Sequence, residues 1–122
     1  MIRRILLVDD HEVVRKGIRQ ILDGRWNICG EAANGREAVA KALELKPDLI
    51  LMDISMPILS GIEATKQIRQ LGIATKIAIF SMHDSGEVAK HAKKAGADTC
   101  LVKSCASTEL LQAITALLDC ED

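Results

Sequence analysis

The chain has 122 residues, 48% of them apolar, with 16 Lys and Arg against 17 Asp and Glu. This length fits one domain, residues 1–122, with enough apolar material for an ordinary core without disulfides or structural metal. A net charge of −1 does not favour direct binding to nucleic acid or anionic lipid. The longest apolar runs are far shorter than the ~20 residues of a membrane helix, so we expect a soluble, cytoplasmic protein without membrane partners. Its four cysteines show no zinc-type spacing with the three histidines.

Short apolar runs alternate along the chain with amphipathic stretches, which predicts five βα repeats. In chain order, we expect strand 5–8, helix 12–23, strand 27–32, a helix between Asn34 and Pro47, strand 49–52, helix 62–71, strand 77–80, helix 85–95, strand 99–102 and helix 107–118. Asn34 should cap the second helix. We expect Ala38, Val39, Ala42 and Leu43 to face the core there. The fully apolar third strand predicts a central position in a parallel sheet.

Polar side chains follow four of the five predicted strands. They are Asp9 and Asp10 after the first, Asp53 after the third, Ser81 after the fourth and Lys103 after the fifth. Any one of them could be a solvated loop residue or a helix cap. In an open α/β sheet, however, ligands bind beyond the carboxyl ends of the strands, where the strand order reverses.

In a doubly wound, flavodoxin-like sheet of order 2-1-3-4-5, the first and third strands are neighbours, so Asp9, Asp10 and Asp53 would converge. Such carboxylates repel one another unless a hard cation binds them. Mg²⁺ suits this oxygen-rich set, with the Ser55 backbone carbonyl as a further ligand, and Mn²⁺ could substitute. With no His or Cys expected in the cluster, zinc and copper are not predicted.

A carboxylate beside Mg²⁺, with an ammonium and a hydroxyl at the same edge, can accept a phosphoryl group. Asp53 is the predicted nucleophile. Lys103 would offset charge on the phosphoryl oxygens, and the Ser81 hydroxyl would hydrogen-bond to one of them. Gly61 should permit a tight backbone conformation before the third helix.

Five segments carry a family pattern: 8–11 (VDDH), 34–38 (NGREA), 47–57 (PDLILMDISMP), 80–83 (FSMH) and 96–103 (GADTCLVK). With these segments, nearly the whole chain resembles the receiver domain of bacterial two-component response regulators. The resemblance implies a CheY-like (βα)5 fold, a magnesium site and a sensor histidine kinase as phosphodonor. It also implies that the domain is no conventional enzyme, since it promotes only phosphorylation and dephosphorylation of its own Asp53.

Segments 10–17 and 30–35 are similar to the NarL/FixJ, or LuxR-type, branch of transcription regulators. This resemblance implies a homodimer on activation and a C-terminal helix-turn-helix domain that makes the DNA contact. We expect the chain to be the receiver half of such a protein. A stand-alone receiver is the other possibility.

The sequence departs from the family at Cys100, where an aromatic ring usually stands three residues before the lysine. A thiol is too small to swing between pockets, so we expect the signal to pass through a backbone shift or through Met82 and His83. The departure also leaves open a phosphorylation-independent interaction module.

Two further classes have weaker support. A flavodoxin-like redox protein would need a phosphate-cradling loop where Asp9 and Asp10 stand. A phosphatase of the haloacid dehalogenase type would need a second Asp where Ser55 follows Asp53.

Overall fold

The computed structural model describes residues 3–82, 86–103 and 107–118. Within these ranges, five strands alternate with five helices. In chain order they are β1 (Arg4–Val8), α1 (Glu12–Leu22), β2 (Asn27–Ala32), α2 (Gly35–Leu45), β3 (Leu49–Asp53), α3 (Gly61–Gln70), β4 (Lys76–Ser81), α4 (Gly86–Ala95), β5 (Thr99–Val102) and α5 (Ser107–Leu118).

All strand pairs are parallel, and the order is β2-β1-β3-β4-β5. The predicted doubly wound (βα)5 topology is therefore confirmed. β1 has β2 as its neighbour on one side and β3 on the other, so the direction of strand addition reverses between β1 and β3. None of the helices described is long and apolar enough to cross a bilayer.

Alternating side chains of the sheet build two separate apolar clusters. On one face, residues such as Leu6 and Ile50 pack with α2, α3 and α4, which contribute mostly alanines. On the other face, residues such as Leu7 and Leu51 pack with α1 and α5. Every residue of β3 is buried, as expected of a central strand covered on both faces.

The observed boundaries differ from the predicted ones by about one residue. β3 and β4 each include the polar residue that ends them, Asp53 and Ser81. The predicted start of α4 at Ser85 lies outside the described residues. The expectation for Leu43 is wrong, because its side chain is 49% exposed. The buried face of α2 is formed by Gly35, Ala38 and Ala42, and Leu43 lies next to this face rather than on it.

The ends of α2 follow from local hydrogen bonding. The side chain of Asn34 accepts a hydrogen bond from the Glu37 backbone N–H at 2.9 Å, and the Glu37 carboxylate accepts one from Ala33 at 2.7 Å. The two hydrogen bonds cap the helix in the manner of a capping box, except that the return bond comes from the residue before the N-cap. At the other end, Lys46 adopts a left-handed conformation directly before Pro47.

The loop between β3 and α3 requires a glycine at position 61 because of a close backbone approach. A Cβ atom there would lie 2.1 Å from the Asp53 carbonyl oxygen. The Gly61 backbone N–H donates to Ile54 at 3.0 Å, which closes the loop under the end of β3. The left-handed residue of this loop is Ile58, with φ of 71°. The loop therefore needs a glycine at position 61, as predicted, but because of the close backbone approach and not because of a left-handed conformation.

We expect Gly61→Ala to lower the free energy of unfolding by roughly 1–3 kcal/mol, because the added methyl group meets backbone atoms. Gly17→Ala is the matched control: Gly17 lies within α1, and its Cβ would meet nothing within 4 Å. This control should gain up to about 1 kcal/mol from helix propensity. Urea denaturation measures both, and a Gly61→Ala protein as stable as the wild type would contradict the steric explanation.

Candidate functional site

Two buried carboxylates lie side by side at the carboxyl ends of β1 and β3. Val8 pairs with Met52, so the next residues, Asp9 and Asp53, are neighbours, and each is only 3% exposed. The Asp9 backbone N–H donates to Ala32 at 3.0 Å, which fixes the backbone at this strand end. The reversal of strand order thus brings two negative charges into a position nearly closed to water.

Lys103 connects these two carboxylates. Its Nζ lies 2.9 Å from Asp9 Oδ2 and 3.1 Å from Asp53 Oδ1. Its own backbone N–H donates to the Ser81 carbonyl oxygen at 2.8 Å, so the end of β5 is fixed to the end of β4. The ammonium therefore offsets the repulsion between Asp9 and Asp53.

The electrostatics of the site follow from burial and charge. Burial raises the pKa of the Asp53 carboxyl and the charge of Asp9 raises it further, while Lys103 and the Ser55 backbone hydrogen bond lower it without reversing the shift. Burial lowers the pKa of Lys103, but its hydrogen bonds to Asp9 and Asp53 and their charges outweigh burial, so the net shift is upward. Lys103 is thus held charged, and Asp53 carries a free-energy cost of ionisation.

The residue set fits a divalent cation. Ligand atoms of Asp9, Asp10, His11 and Asp53 all lie within 4.8 Å of one another. Asp10 Oδ1 is buried and accepts no hydrogen bond, which leaves it available to a cation. Three carboxylates with this spacing form the oxygen-rich set that Mg²⁺ and Mn²⁺ accept.

The expectation that no histidine lies in this cluster is wrong. His11 Nδ1 lies 3.0 Å from Asp10 Oδ1 and 3.3 Å from Asp9 Oδ1. The chain turns at His11 into α1, and the His11 backbone N–H donates to Asp9 Oδ1 at 2.9 Å. This turn folds the imidazole back towards the carboxylates, a result of backbone geometry that strand-end positions alone did not reveal.

The two serines predicted for the site lie close to it along the chain. Ser81 is buried at the end of β4, one residue beyond Phe80, which pairs with Asp53. The Ser55 backbone hydrogen-bonds to the Asp53 carboxylate. The roles of the Ser81 hydroxyl and the Ser55 carbonyl stay predictions.

A pair of residues behind the site was missed by the sequence reasoning. The Arg15 guanidinium donates to the Asp9 carbonyl oxygen and, through Nε, to Glu31 Oε1 at 2.8 Å. Arg19 also forms an ion pair with Glu31. The sequence shows that Arg15 lies one helical turn after His11. It does not show that Glu31 on β2 is its partner, because only tertiary packing brings these two residues together. These contacts hold the backbone of Asp9 in place.

The residues predicted to relay a signal occupy different environments. Cys100 is partly buried and packs against the apolar cluster on the α2–α4 face. Met82 is 67% exposed beyond the end of β4. His83 lies outside the described residues.

The chain is similar to known signalling proteins. Residues 5–115 match the response regulator receiver domain family. The chemotaxis protein CheY of Halobacterium salinarum is 41% identical, over 97% of this chain and 98% of that protein. The nitrate/nitrite response regulator NarL of Escherichia coli is 38% identical, over 90% of this chain and 52% of that protein.

A solved structure agrees with this similarity. The LuxR-family two-component response regulator from Aurantimonas sp. SI85-9A1 superposes with a TM-score of 0.93 at 41% identity, covering 99% of this chain and 88% of that one. The chain therefore belongs to the response regulator receiver domain family. Its relatives include NarL and LuxR-type regulators, and it spans about half the length of NarL.

Receiver domains are signalling domains that interact with histidine kinases and phosphotransfer partners, and they bind Mg²⁺ at an acidic pocket. In this chain the corresponding pocket is the cluster at the ends of β1 and β3.

We expect Asp53→Asn to stabilise the metal-free domain at neutral pH, on the order of 1 kcal/mol, because it removes a buried charge that the fold disfavours. Because the pKa of Asp53 is raised in the folded domain, the free energy of unfolding falls as pH rises from the ordinary carboxyl pKa through the folded pKa. The gain should disappear below the ordinary carboxyl pKa of about 3.9, where Asp53 is neutral in both states. Urea denaturation across pH measures this, and a variant less stable than wild type at pH 7 would contradict it.

Proposed function

We propose that this domain is a Mg²⁺-dependent phosphoacceptor switch that receives a phosphoryl group on Asp53 from a sensor histidine kinase. The observation that carries this proposal is the contact of Lys103 Nζ with Asp9 and Asp53 at 2.9 and 3.1 Å. The contact supports the proposal because two carboxylates and a charged ammonium meet at the reversal point of the sheet, where ligands bind in such folds.

The transfer is a displacement at phosphorus. A carboxylate oxygen of Asp53 forms the new P–O bond while the P–N bond to the kinase imidazole breaks, and the released nitrogen keeps the electron pair of that bond. Mg²⁺ held by Asp9, Asp10, Asp53 and the Ser55 carbonyl would supply positive charge beside the phosphoryl oxygens, and Mn²⁺ could replace it. Water later attacks the phosphorus of this acyl phosphate, the bond from phosphorus to the Asp53 oxygen breaks, and inorganic phosphate leaves while Asp53 returns to its free carboxylate.

Lys103 prepares the site and then responds to the transfer. Before transfer, its ammonium holds the carboxylates of Asp9 and Asp53 together. The phosphoryl group carries about −1.5 to −2 charge on three acceptor oxygens at neutral pH, in place of the single negative charge of the Asp53 carboxylate, so the ammonium is redirected to these oxygens. The Ser81 hydroxyl donates to another of them. These contacts convert a local charge into a movement of two strand ends.

The backbone can carry this movement beyond the site. The hydrogen bond of 2.8 Å from the Lys103 N–H to the Ser81 carbonyl makes the ends of β4 and β5 move together. Cys100 is too small to act as a switching ring, so the shift passes through this backbone link and through Met82, which is exposed. The surface that responds is formed by α4, β5 and α5.

The complete protein is proposed to be a transcription regulator of the LuxR type. The support is that the chain spans about half of NarL and of the response regulator VraR of Staphylococcus aureus. A C-terminal helix-turn-helix domain would contact DNA, and phosphorylation would favour a homodimer. A stand-alone switch is the alternative, since the chain also covers 98% of a CheY protein.

With Mg²⁺ and acetyl phosphate, we expect the wild-type domain to gain the mass of one phosphoryl group in intact mass spectrometry, whereas Asp53→Asn gains none. Asp23→Asn, at an exposed position after α1, is the matched control and should behave as wild type. Chelation of the divalent ion should suppress the addition.

Two outcomes would overturn the assignment. Phosphoryl addition to Asp53→Asn would move the acceptor to another residue. A wild-type protein that takes no phosphoryl group from any small donor, and binds no Mg²⁺, would favour the phosphorylation-independent module that Cys100 leaves open.

Lys103→Ala should still be phosphorylated on Asp53 but should lose most of the conformational response, because no ammonium links the phosphoryl group to β5. Amide chemical shifts of α4 and β5, recorded before and after phosphorylation, measure this. Lys66→Ala, on the exposed side of α3, is the control. A phosphorylated Lys103→Ala protein with the wild-type shift pattern would remove Lys103 from the relay.

A further inference from the structure

His11 lies close enough to two of the predicted metal ligands to be a ligand itself. Its Nδ1 is 3.0 Å from Asp10 Oδ1 and 3.3 Å from Asp9 Oδ1. In an octahedral site with bonds of about 2.0–2.1 Å, adjacent ligand atoms lie roughly 3 Å apart. The two separations therefore match an imidazole nitrogen that occupies a position next to each of the two carboxylate oxygens around one ion.

These atoms already contact one another. Asp9 Oδ1 accepts the His11 backbone N–H at 2.9 Å and lies 3.3 Å from His11 Nδ1, within hydrogen-bond distance. A cation bound between Nδ1 and Oδ1 would replace the second contact and leave the backbone hydrogen bond in place. Lys103 contacts the other oxygen of Asp9, Oδ2, so ammonium and imidazole do not compete for one atom. The His11 side chain makes no capping hydrogen bond at α1, and it is 67% exposed, which allows it to adjust to a bound ion.

We propose that His11 is an additional ligand of this cation site through Nδ1, and that it shifts the site's selectivity from Mg²⁺ towards transition-metal ions such as Co²⁺ and Ni²⁺. The inference rests on the metal site of the proposed function. Mg²⁺ is a hard ion that binds oxygen and retains water, whereas these ions accept imidazole nitrogen readily. His11 adds affinity for the second group of ions and little for Mg²⁺.

The test compares binding of Co²⁺ and Mg²⁺ by isothermal titration calorimetry at about pH 8, where free imidazole is neutral. The proteins are the wild-type domain, His11→Ala, His11→Gln and the matched control His91→Ala, which changes an exposed histidine on α4. Removal of outer-shell partners of metal ligands costs about 10–100-fold in affinity, and loss of a direct ligand should cost at least as much. We therefore expect His11→Ala and His11→Gln to lose about tenfold or more for Co²⁺.

Affinity for Mg²⁺ should stay near the wild-type value in both His11 variants, and His91→Ala should match the wild type for both ions. A second readout is the ¹H NMR spectrum of the Co²⁺-loaded wild type. It should show a strongly shifted exchangeable ring N–H signal that is absent from the His11→Gln spectrum. Because this signal is recorded on the wild type, it supports ligation by His11 even if a His11 variant does not fold.

Equal Co²⁺ affinity in wild type and His11→Gln would overturn this inference while leaving the magnesium site intact. Parallel losses for Co²⁺ and Mg²⁺ would also overturn it, because His11 would then act by positioning the acidic loop. A wild-type domain that binds neither ion would overturn the metal site of the proposed function itself, together with the role of His11.

Discussion

The site depends on two carboxylates that are almost fully buried next to each other. Asp9 and Asp53 are each 3% exposed, and in this position their mutual repulsion and the loss of hydration both disfavour the ionised state. Lys103 between them relieves part of this cost. The fold thus holds a site that is incompletely neutralised, with three acids near one ammonium, and this imbalance favours the binding of a cation.

Backbone structure maintains this unfavourable arrangement. β3 is buried throughout, and backbone hydrogen bonds from Asp9 to Ala32 and from Ile54 to Phe80 fix the chain at the ends of β1 and β3. Gly61 permits the loop after β3 to close against the Asp53 carbonyl, and Arg15 holds the Asp9 carbonyl from behind. Unfavourable electrostatics at functional sites persist when the surrounding structure determines the geometry in this way.

Much of the architecture could be predicted from sequence because it follows from periodicity. The apolar runs of the strands and the 3.6-residue pattern of α5 defined the elements, and the rule for ligand sites in α/β folds pointed to Asp9, Asp10 and Asp53. What could not be predicted depends on the direction of individual side chains, at the turn before α1 and around α2. His11 folds back on the acids because of the conformation before α1, and Leu43 faces solvent because α2 presents its alanines to the sheet.

The position of Cys100 limits how the site can communicate with the surface. Its side chain packs on the α2–α4 face, whereas Lys103 lines an apolar groove of about 260 Å³ on the other face, with Phe80 and Met82 among its neighbours. In the proposed switch, a movement of Lys103 towards a phosphoryl group would change the wall of this groove directly. A change on the α4 side would pass through the backbone of β5, because the Cys100 thiol has no ring to reorient. The ends of β4 and β5, joined by the hydrogen bond from the Lys103 N–H to the Ser81 carbonyl oxygen, would then be the element on which both faces depend.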